Sequence, residues 1–122
     1  MAKVLLAEDD GAVKAFVVRA LGYRGHQVTS VGDGLAALDR LGAESFDLLL
    51  TDIVMPGLDG IALALKASKD WPDMRILLMT GFAAERQRAH NLEALIHRVV
   101  SKPFSLAEIC DAVDQALAEG AA

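Results

Sequence analysis

Acidic side chains follow two short apolar segments whose composition is typical of β-strands. The acids are Glu8, Asp9 and Asp10, which follow residues 4–7, and Asp52, which follows residues 48–51. If the two segments are neighbouring strands, these carboxylates converge, and their mutual repulsion must be relieved by a cation or by protons. Mg²⁺ suits such a place, because it is held by one or two carboxylates together with water and phosphate oxygens. The alternative is that Asp9 or Asp10 caps a helix, and the spacing alone favours neither interpretation.

A hydroxyl and an ammonium stand at the ends of two further apolar segments. Thr80 ends the segment 76–80, and Lys102 follows the segment 99–101. A threonine at a strand end or a Lys-Pro pair is by itself typical of ordinary structure. Acids, hydroxyl and lysine at one edge, however, could hold a phosphoryl group, because a metal and Lys102 would neutralise its oxygens while Thr80 donates a hydrogen bond.

Short apolar runs alternate with helical patterns along the chain. The runs are predicted as strands at residues 4–7, 28–31, 48–51, 76–80 and 99–101. The patterns are predicted as helices around residues 13–21, 35–41, 61–69, 85–95 and 106–117. The alternation predicts an α/β domain with an open parallel sheet and its chemistry at the carboxyl ends of the strands. The continuous third and fourth runs are typical of central strands, whereas the mixed residues 27–31 indicate an edge.

Length and charge limit what the chain can be. Its 122 residues predict one domain over residues 1–122, and 12 basic against 17 acidic residues give a formal net charge of -5. This charge argues against a broad basic surface for nucleic acid, so proteins are the expected partners. The single cysteine, Cys110, cannot form an internal disulfide. With no signal peptide and no run of about 18 apolar residues, the sequence predicts a cytoplasmic protein without a membrane span.

Two other patterns are assigned ordinary structural roles. Residues 32–37, Gly-Asp-Gly-Leu-Ala-Ala, match a dinucleotide-binding fingerprint, but they follow the second strand rather than the first. That position favours a turn and a helix cap. His26, His90 and His97 lack the spacing of metal ligands and are predicted at the surface or at a sheet edge.

Four segments together resemble the signature segments of bacterial response-regulator receiver domains. They are VLLAEDD at residues 4–10, LLLTDIVMPGLDG at 48–60, LMTG at 78–81 and SKPF at 101–104, in the family's order and spacing. The resemblance covers nearly the whole chain. It implies a flavodoxin-like (βα)5 three-layer sandwich with strand order 2-1-3-4-5, and a role in two-component signalling rather than as an enzyme that acts on a separate substrate.

The same resemblance implies roles for individual residues. Asp52 would be the phosphoacceptor, attacking the phospho-histidine of a sensor histidine kinase or a histidine phosphotransfer protein. Thr80 and Lys102 would hold the phosphoryl oxygens, and the bond between Lys102 and Pro103 is expected to be cis.

A magnesium site is implied as well. Asp9, Asp52 and the backbone carbonyl of Val54 would bind Mg²⁺ directly, and Glu8 would act mainly through metal-bound water.

Residues 51–56, 80–84 and 101–104 more particularly resemble CpdR-type single-domain regulators of alphaproteobacteria. That type implies a phosphorylation-controlled adaptor that primes the ClpXP protease for selected substrates. The alternative is a phosphorelay intermediate that passes its phosphoryl group to a second histidine protein. Because few residues follow the last predicted helix, we expect no attached output domain, and output through binding.

Departures from the family pattern concern the switch and its lifetime. Val99 stands three residues before Lys102, where many receivers carry an aromatic residue that rotates on activation, so this part of the switch is expected to be missing. Val54 and Phe82 occupy positions that often hold polar, water-orienting side chains. We therefore expect slow self-hydrolysis of a phosphorylated Asp52.

Overall fold

The predicted strands all lie inside strands of the computed structural model, which describes residues 2–81 and 98–119. The elements in chain order are β1 (Lys3–Ala7), α1 (Gly11–Tyr23), β2 (Gln27–Val31), α2 (Gly34–Ala43), β3 (Leu48–Asp52), α3 (Gly60–Asp70), β4 (Arg75–Thr80), β5 (Arg98–Ser101) and α4 (Leu106–Glu119). The predicted helical segment 85–95 lies outside the described residues, as do Phe82, His90 and His97.

The five strands form one parallel sheet in the order β2-β1-β3-β4-β5, which confirms the predicted topology. Strand β3 lies at the centre and is buried along its whole length. Strand β2 lies at an edge and contains only exposed and half-buried residues, as its mixed composition predicted. The register pairs Ala7 with Thr51, Asp52 with Met79 and Thr80 with Ser101. The carboxyl ends of β1, β3, β4 and β5 therefore meet at one edge of the sheet.

Helices cover both faces of the sheet and give it three layers. Side chains of a strand alternate between faces, so Leu49 packs on one face and Leu50 on the other. Helices α2 and α3 bury Leu41 and Leu63 on the first face, and α1 and α4 bury residues such as Val113 on the second. Each fully buried leucine contributes about 2 kcal/mol through removal of apolar surface from water. No helix among residues 2–81 and 98–119 combines the length and apolar character that a membrane crossing needs.

Polar side chains cap the helices that begin near the carboxyl ends of the strands. Asp10, Asp33 and Asp59 each accept a hydrogen bond from a backbone N–H in the first turn of α1, α2 and α3. Ser105 and Glu108 form a reciprocal capping box at α4, with donor–acceptor distances of 2.9 and 3.1 Å. The cap at Asp33 confirms that residues 32–37 form a turn and a helix start.

A cluster of charged side chains ties α4 to the start of the edge strand. The Nε2 atom of His26 lies 2.8 Å from Oδ1 of Asp114, and Arg24 donates to Oδ2 of Asp114 at 2.6 Å. The His26 side chain is only 7% exposed. Its predicted position at the sheet edge is correct, but the prediction missed that its ring is buried and paired.

The cluster predicts a stability that depends on pH. Burial of Asp114 opposes its charge, but the hydrogen bonds from His26 and Arg24 outweigh burial and lower the pKa of Asp114 below its ordinary value. A lowered carboxyl pKa stabilises the fold above the pKa of the unfolded chain, about 3.9, and this stability is lost as pH falls through the folded pKa.

We therefore expect Asp114→Asn to reduce the free energy of unfolding by about 0.5–1 kcal/mol at pH 7, the range of partly exposed ion pairs. Urea unfolding at several pH values should show the difference between wild type and variant shrinking below about pH 4. An unchanged difference at low pH would contradict the assignment of this stability to the ionised carboxylate.

Candidate functional site

Three carboxylates meet at the carboxyl edge of the sheet. Glu8, Asp9 and Asp52 each place one oxygen within 4.8 Å of the others. Glu8 is fully buried and Asp52 is 8% exposed, whereas Asp9 is open to solvent. The predicted convergence of acids from two neighbouring strands is therefore confirmed.

Lys102 lies between the two buried acids. Its Nζ atom donates to Oε1 of Glu8 at 2.8 Å and to Oδ2 of Asp52 at 3.0 Å. Burial of Lys102 opposes its charge, but the hydrogen bonds with Glu8 and Asp52 outweigh burial and raise the pKa of Lys102 above the ordinary value of a lysine. The side chain is therefore an ammonium at neutral pH.

The backbone at Lys102 joins two of the strand ends at this edge. The bond between Lys102 and Pro103 is cis, as expected from the sequence. The Lys102 N–H donates to the carbonyl of Thr80 at 2.8 Å, which joins the end of β5 to the end of β4. Thr80 is fully buried and lies one residue beyond Met79, the partner of Asp52 in the register. Hydroxyl, ammonium and acids thus occupy adjacent strand ends.

Both oxygens of the Asp52 carboxylate have a partner. Oδ2 accepts from Lys102, and Oδ1 accepts from the N–H of Ile53 at 2.9 Å. The orientation of the carboxylate is therefore set before any ligand arrives.

Asp10 and Asp9 have different roles, helix cap and member of the acidic cluster, between which spacing alone could not decide. The side chain of Asp10 caps α1, accepting from Ala12 and Val13 at 2.9 and 3.2 Å. Asp9 belongs instead to the acidic cluster. The second oxygen of Glu8, Oε2, accepts from the N–H of Asp10 at 3.0 Å and so links the cap to the cluster.

The loop after Asp52 is packed tightly against the backbone of Asp52. A Cβ atom placed on Gly60 would lie 1.9 Å from the carbonyl oxygen of Asp52. The Gly60 N–H donates to the carbonyl of Ile53 at 2.8 Å, and Gly57 adopts a φ of 74°, which favours glycine. The side chain of Val54 is 55% exposed. The proposed ligand role of the Val54 carbonyl stays a prediction.

We expect Gly60→Ala to shift this loop, because the contact at Gly60 is with backbone that cannot swing aside. Overpacking of this kind costs about 2 kcal/mol of unfolding free energy. Gly42→Ala in α2 is the matched control, since a Cβ there meets nothing within 4 Å and removing a helical glycine stabilises by about 0.5–1 kcal/mol. Urea unfolding of both variants checks the prediction, and a stable Gly60→Ala would contradict the close contact.

The cluster fits a hard divalent cation. Glu8, Asp9 and Asp52 supply carboxylate oxygens, the ligands that Mg²⁺ and Ca²⁺ prefer. Lys102 offsets only part of their negative charge. Asp9 is both exposed and close to the buried acids, so a cation can reach the cluster from solvent.

Sequence reasoning missed two features of the site. The hydroxyl of Thr51 donates to the carbonyl of Asp52 at 2.9 Å, a contact that a hydroxyl residue directly before a strand-end acid could have suggested. The direct contact between Glu8 and Lys102 was also missed, because nothing in the spacing of two residues so far apart in the chain gives their distance.

Comparison with known proteins agrees with this geometry. The family model described as the response regulator receiver domain matches residues 4–114. The response regulator receiver protein CpdR of Brucella abortus is 43% identical over 117 residues, which cover 96% of this chain and 98% of that protein. The transcriptional activator PfeR of Pseudomonas aeruginosa is 39% identical over 88% of this chain, and the match spans only 35% of PfeR.

Solved structures share the fold. A CheY-like receiver domain protein from Methanospirillum hungatei superposes with a TM-score of 0.91 at 26% identity, over 99% of this chain and 97% of that one. The response regulator TrrA from Thermotoga maritima, solved in complex with Mg²⁺-BeF, has a TM-score of 0.86 at 24% identity, over 95% of this chain and 99% of TrrA. With a family model that spans most of the sequence and an acidic cluster at the expected strand ends, the chain belongs to the response-regulator receiver domains.

Proposed function

We propose that the protein is a phosphorylation-controlled switch whose phosphoacceptor is Asp52. The donor is a phospho-histidine on a sensor histidine kinase or on a histidine phosphotransfer protein, and the phosphorylation state controls partner binding. One observation carries the proposal: the Asp52 carboxylate is held at a strand end, 3.0 Å from the Lys102 ammonium and within 4.8 Å of Glu8 and Asp9. A carboxylate so placed is both oriented as a nucleophile and surrounded by groups that handle phosphoryl charge.

The transfer is a displacement at phosphorus. A carboxylate oxygen of Asp52 forms the new P–O bond while the P–N bond of the donor breaks, and the departing imidazole takes the electron pair and then a proton. Lys102 and Thr80 neutralise and hydrogen-bond the phosphoryl oxygens. The chain would catalyse only its own phosphorylation and dephosphorylation.

Mg²⁺ is the proposed cofactor. Asp9, Asp52 and the carbonyl of Val54 would hold it directly, and Glu8 would act through water. When bound, Mg²⁺ supplies positive charge that neutralises phosphoryl oxygens. Lys102, already in contact with Glu8 and Asp52, supplies the remaining charge.

The donor reaction can be tested without knowing the kinase. Phosphoramidate carries the same type of P–N bond as phospho-histidine, so the purified protein should gain one phosphoryl group from it when Mg²⁺ is present and none in excess EDTA. Intact-mass spectrometry reads the gain, and hydroxylamine should reverse it, since an acyl phosphate reacts with that nucleophile. A modification that forms equally in EDTA, or that survives hydroxylamine, would exclude an aspartyl phosphate made in a Mg²⁺-dependent reaction.

For the output, we propose an adaptor that controls delivery of substrates to ClpXP. The support is the similarity to CpdR, which extends over nearly the full length of both chains. The alternative output is a phosphorelay, in which Asp52 hands its phosphoryl group to a second histidine protein.

Two experiments separate these outputs. A pull-down that compares wild type with Asp52→Ala should show the ClpX subunit gained or lost with the phosphoacceptor if the protein is an adaptor. If it is an adaptor, incubation of radiolabelled protein with candidate histidine phosphotransfer proteins other than its own donor should leave the label in place. Transfer of label without any change in ClpX binding would favour the phosphorelay.

Lifetime of the acyl phosphate depends on how water reaches it. The exposed side chain of Val54 offers water no hydrogen bond. We expect Val54→Asn to speed loss of the phosphoryl group about tenfold, because an amide can orient the attacking water. The measurement is decay of phosphorylated protein on a phosphate-affinity gel, and Leu65→Asn, at a 40% exposed position in α3, is the control. An unchanged decay rate in Val54→Asn would contradict the shielding role of valine.

A further inference from the structure

The peptide group between Asp52 and Ile53 is held at both of its polar ends. Its carbonyl accepts a hydrogen bond from the Thr51 hydroxyl at 2.9 Å. Its N–H donates to Oδ1 of the Asp52 carboxylate at 2.9 Å and to the carbonyl of Met79 at 3.1 Å. One peptide group therefore connects the Thr51 hydroxyl to the carboxylate.

The connection is rigid because a peptide group is planar. Rotation of the carbonyl about the chain direction must turn the N–H by the same angle. A hydroxyl that holds the carbonyl therefore also holds the N–H, and with it the oxygen of Asp52 that this N–H contacts. In this way Thr51 acts on the carboxylate without touching it.

The surroundings leave this hydroxyl little freedom. Thr51 is fully buried, and its Oγ1 lies 3.9 Å from the sulfur of Met55, a side chain that is 6% exposed. Gly60 packs against the same carbonyl from α3. Because the site is buried, loss of the Thr51 hydroxyl leaves the Asp52 carbonyl without this donor. A water molecule could take the place of the hydroxyl only if there were a cavity to hold it.

We propose that Thr51 is a positioning residue for phosphorylation at Asp52. Its hydroxyl fixes the peptide whose N–H orients the nucleophilic carboxylate. The expected effect of Thr51 on the phosphorylation rate rests on the proposed function. Its effect on the orientation of the Asp52 carboxylate rests on the hydrogen bonds alone. Two readouts therefore test it.

The kinetic readout is the rate of phosphorylation by phosphoramidate at saturating Mg²⁺. Thr51→Val keeps the shape of the side chain and removes the hydroxyl, so the maximal rate should fall about tenfold while the half-saturating donor concentration stays unchanged. Thr51→Ser restores the hydroxyl and should return the rate to within about twofold of wild type. Val113→Ala, a buried substitution in α4, controls for lost stability, because it destabilises the core without touching this peptide.

The spectroscopic readout needs no phosphorylation. The amide proton of Ile53 should shift upfield in Thr51→Val, because its bond to the carboxylate loosens, and should return in Thr51→Ser. If wild type takes up no phosphoryl group, the proposed function fails and the amide shift alone decides whether Thr51 orients the carboxylate. If wild type is phosphorylated, a Thr51→Val rate equal to wild type, or a Thr51→Ser rate as low as that of Thr51→Val, overturns the positioning role.

Discussion

Asp52→Asn should accept no phosphoryl group from phosphoramidate under conditions that fully phosphorylate the wild type. An amide oxygen is a poor nucleophile, and the substitution also removes one of the three clustered negative charges. Nucleophile removal of this kind commonly lowers a rate by a factor on the order of 10⁴ or more. Intact-mass spectrometry over several hours is the measurement.

Asp10→Asn is the matched control. It removes the same charge two residues from Glu8, yet asparagine caps a helix about as well as aspartate, so α1 should remain intact. We expect this variant to be phosphorylated within about threefold of wild type, since Asp10 serves the cap rather than the cluster. Borohydride reduction of the phosphorylated wild type should convert Asp52 alone to homoserine. Reduction at Asp9 or Asp10, or full phosphorylation of Asp52→Asn, would refute Asp52 as the phosphoacceptor.

The convergence of the acids could be predicted from sequence because it depends on local rules. Residues 48–51 belong to a continuous run of the kind typical of a buried central strand, and parallel strands end at one edge. Asp52 was placed beside Glu8 and Asp9 by that argument, and the structure confirms the cluster. Spacing alone could not decide between cap and cluster, because Asp9 and Asp10 differ by one residue while strand and helix boundaries are uncertain by about that much, and only the family resemblance assigned Asp9 to the cluster.

Features that depend on tertiary distance could not be predicted. Phe16 and Leu35 fit the periodic apolar stripes of α1 and α2, yet they are 36% and 61% exposed. His26 was predicted at the surface or at a sheet edge, and only the approach of Asp114 from α4 shows why its ring is buried. Periodicity gives the face of a helix, but the partner across that face sets how deeply each residue is buried.

Lys102→Met should lower the free energy of unfolding by about 2–3 kcal/mol in the absence of divalent cations. Glu8 is fully buried, and removal of its ammonium partner leaves buried negative charge without compensation, which is the costly way to break an ion pair. Because Lys102 is partly exposed, we expect a smaller loss than for a fully buried ion pair. Urea unfolding with chelator present is the measurement.

The control for this substitution is Lys66→Met. Lys66 pairs with Asp70 at 2.8 Å on the outside of α3, where its side chain is 54% exposed. A solvent-exposed pair at i,i+4 contributes about 0.5 kcal/mol or less. The loss in free energy of unfolding should therefore be severalfold larger in Lys102→Met than in Lys66→Met. Equal losses in the two variants would mean that the contacts of Lys102 with Glu8 and Asp52 carry no special weight.

The dependence on pH and on Mg²⁺ gives the Lys102 prediction two further signatures. Since the pKa of Lys102 is raised, its contribution is present below the unfolded lysine value of about 10.4 and is lost only as pH rises through the folded pKa. The difference in free energy of unfolding between wild type and Lys102→Met should therefore stay constant from pH 7 to about pH 10.

Added Mg²⁺ should stabilise Lys102→Met more than wild type, because a cation at Glu8, Asp9 and Asp52 replaces the positive charge of the ammonium that only the variant lacks. Equal stabilisation of both proteins would place the cation away from the carboxylates that Lys102 contacts.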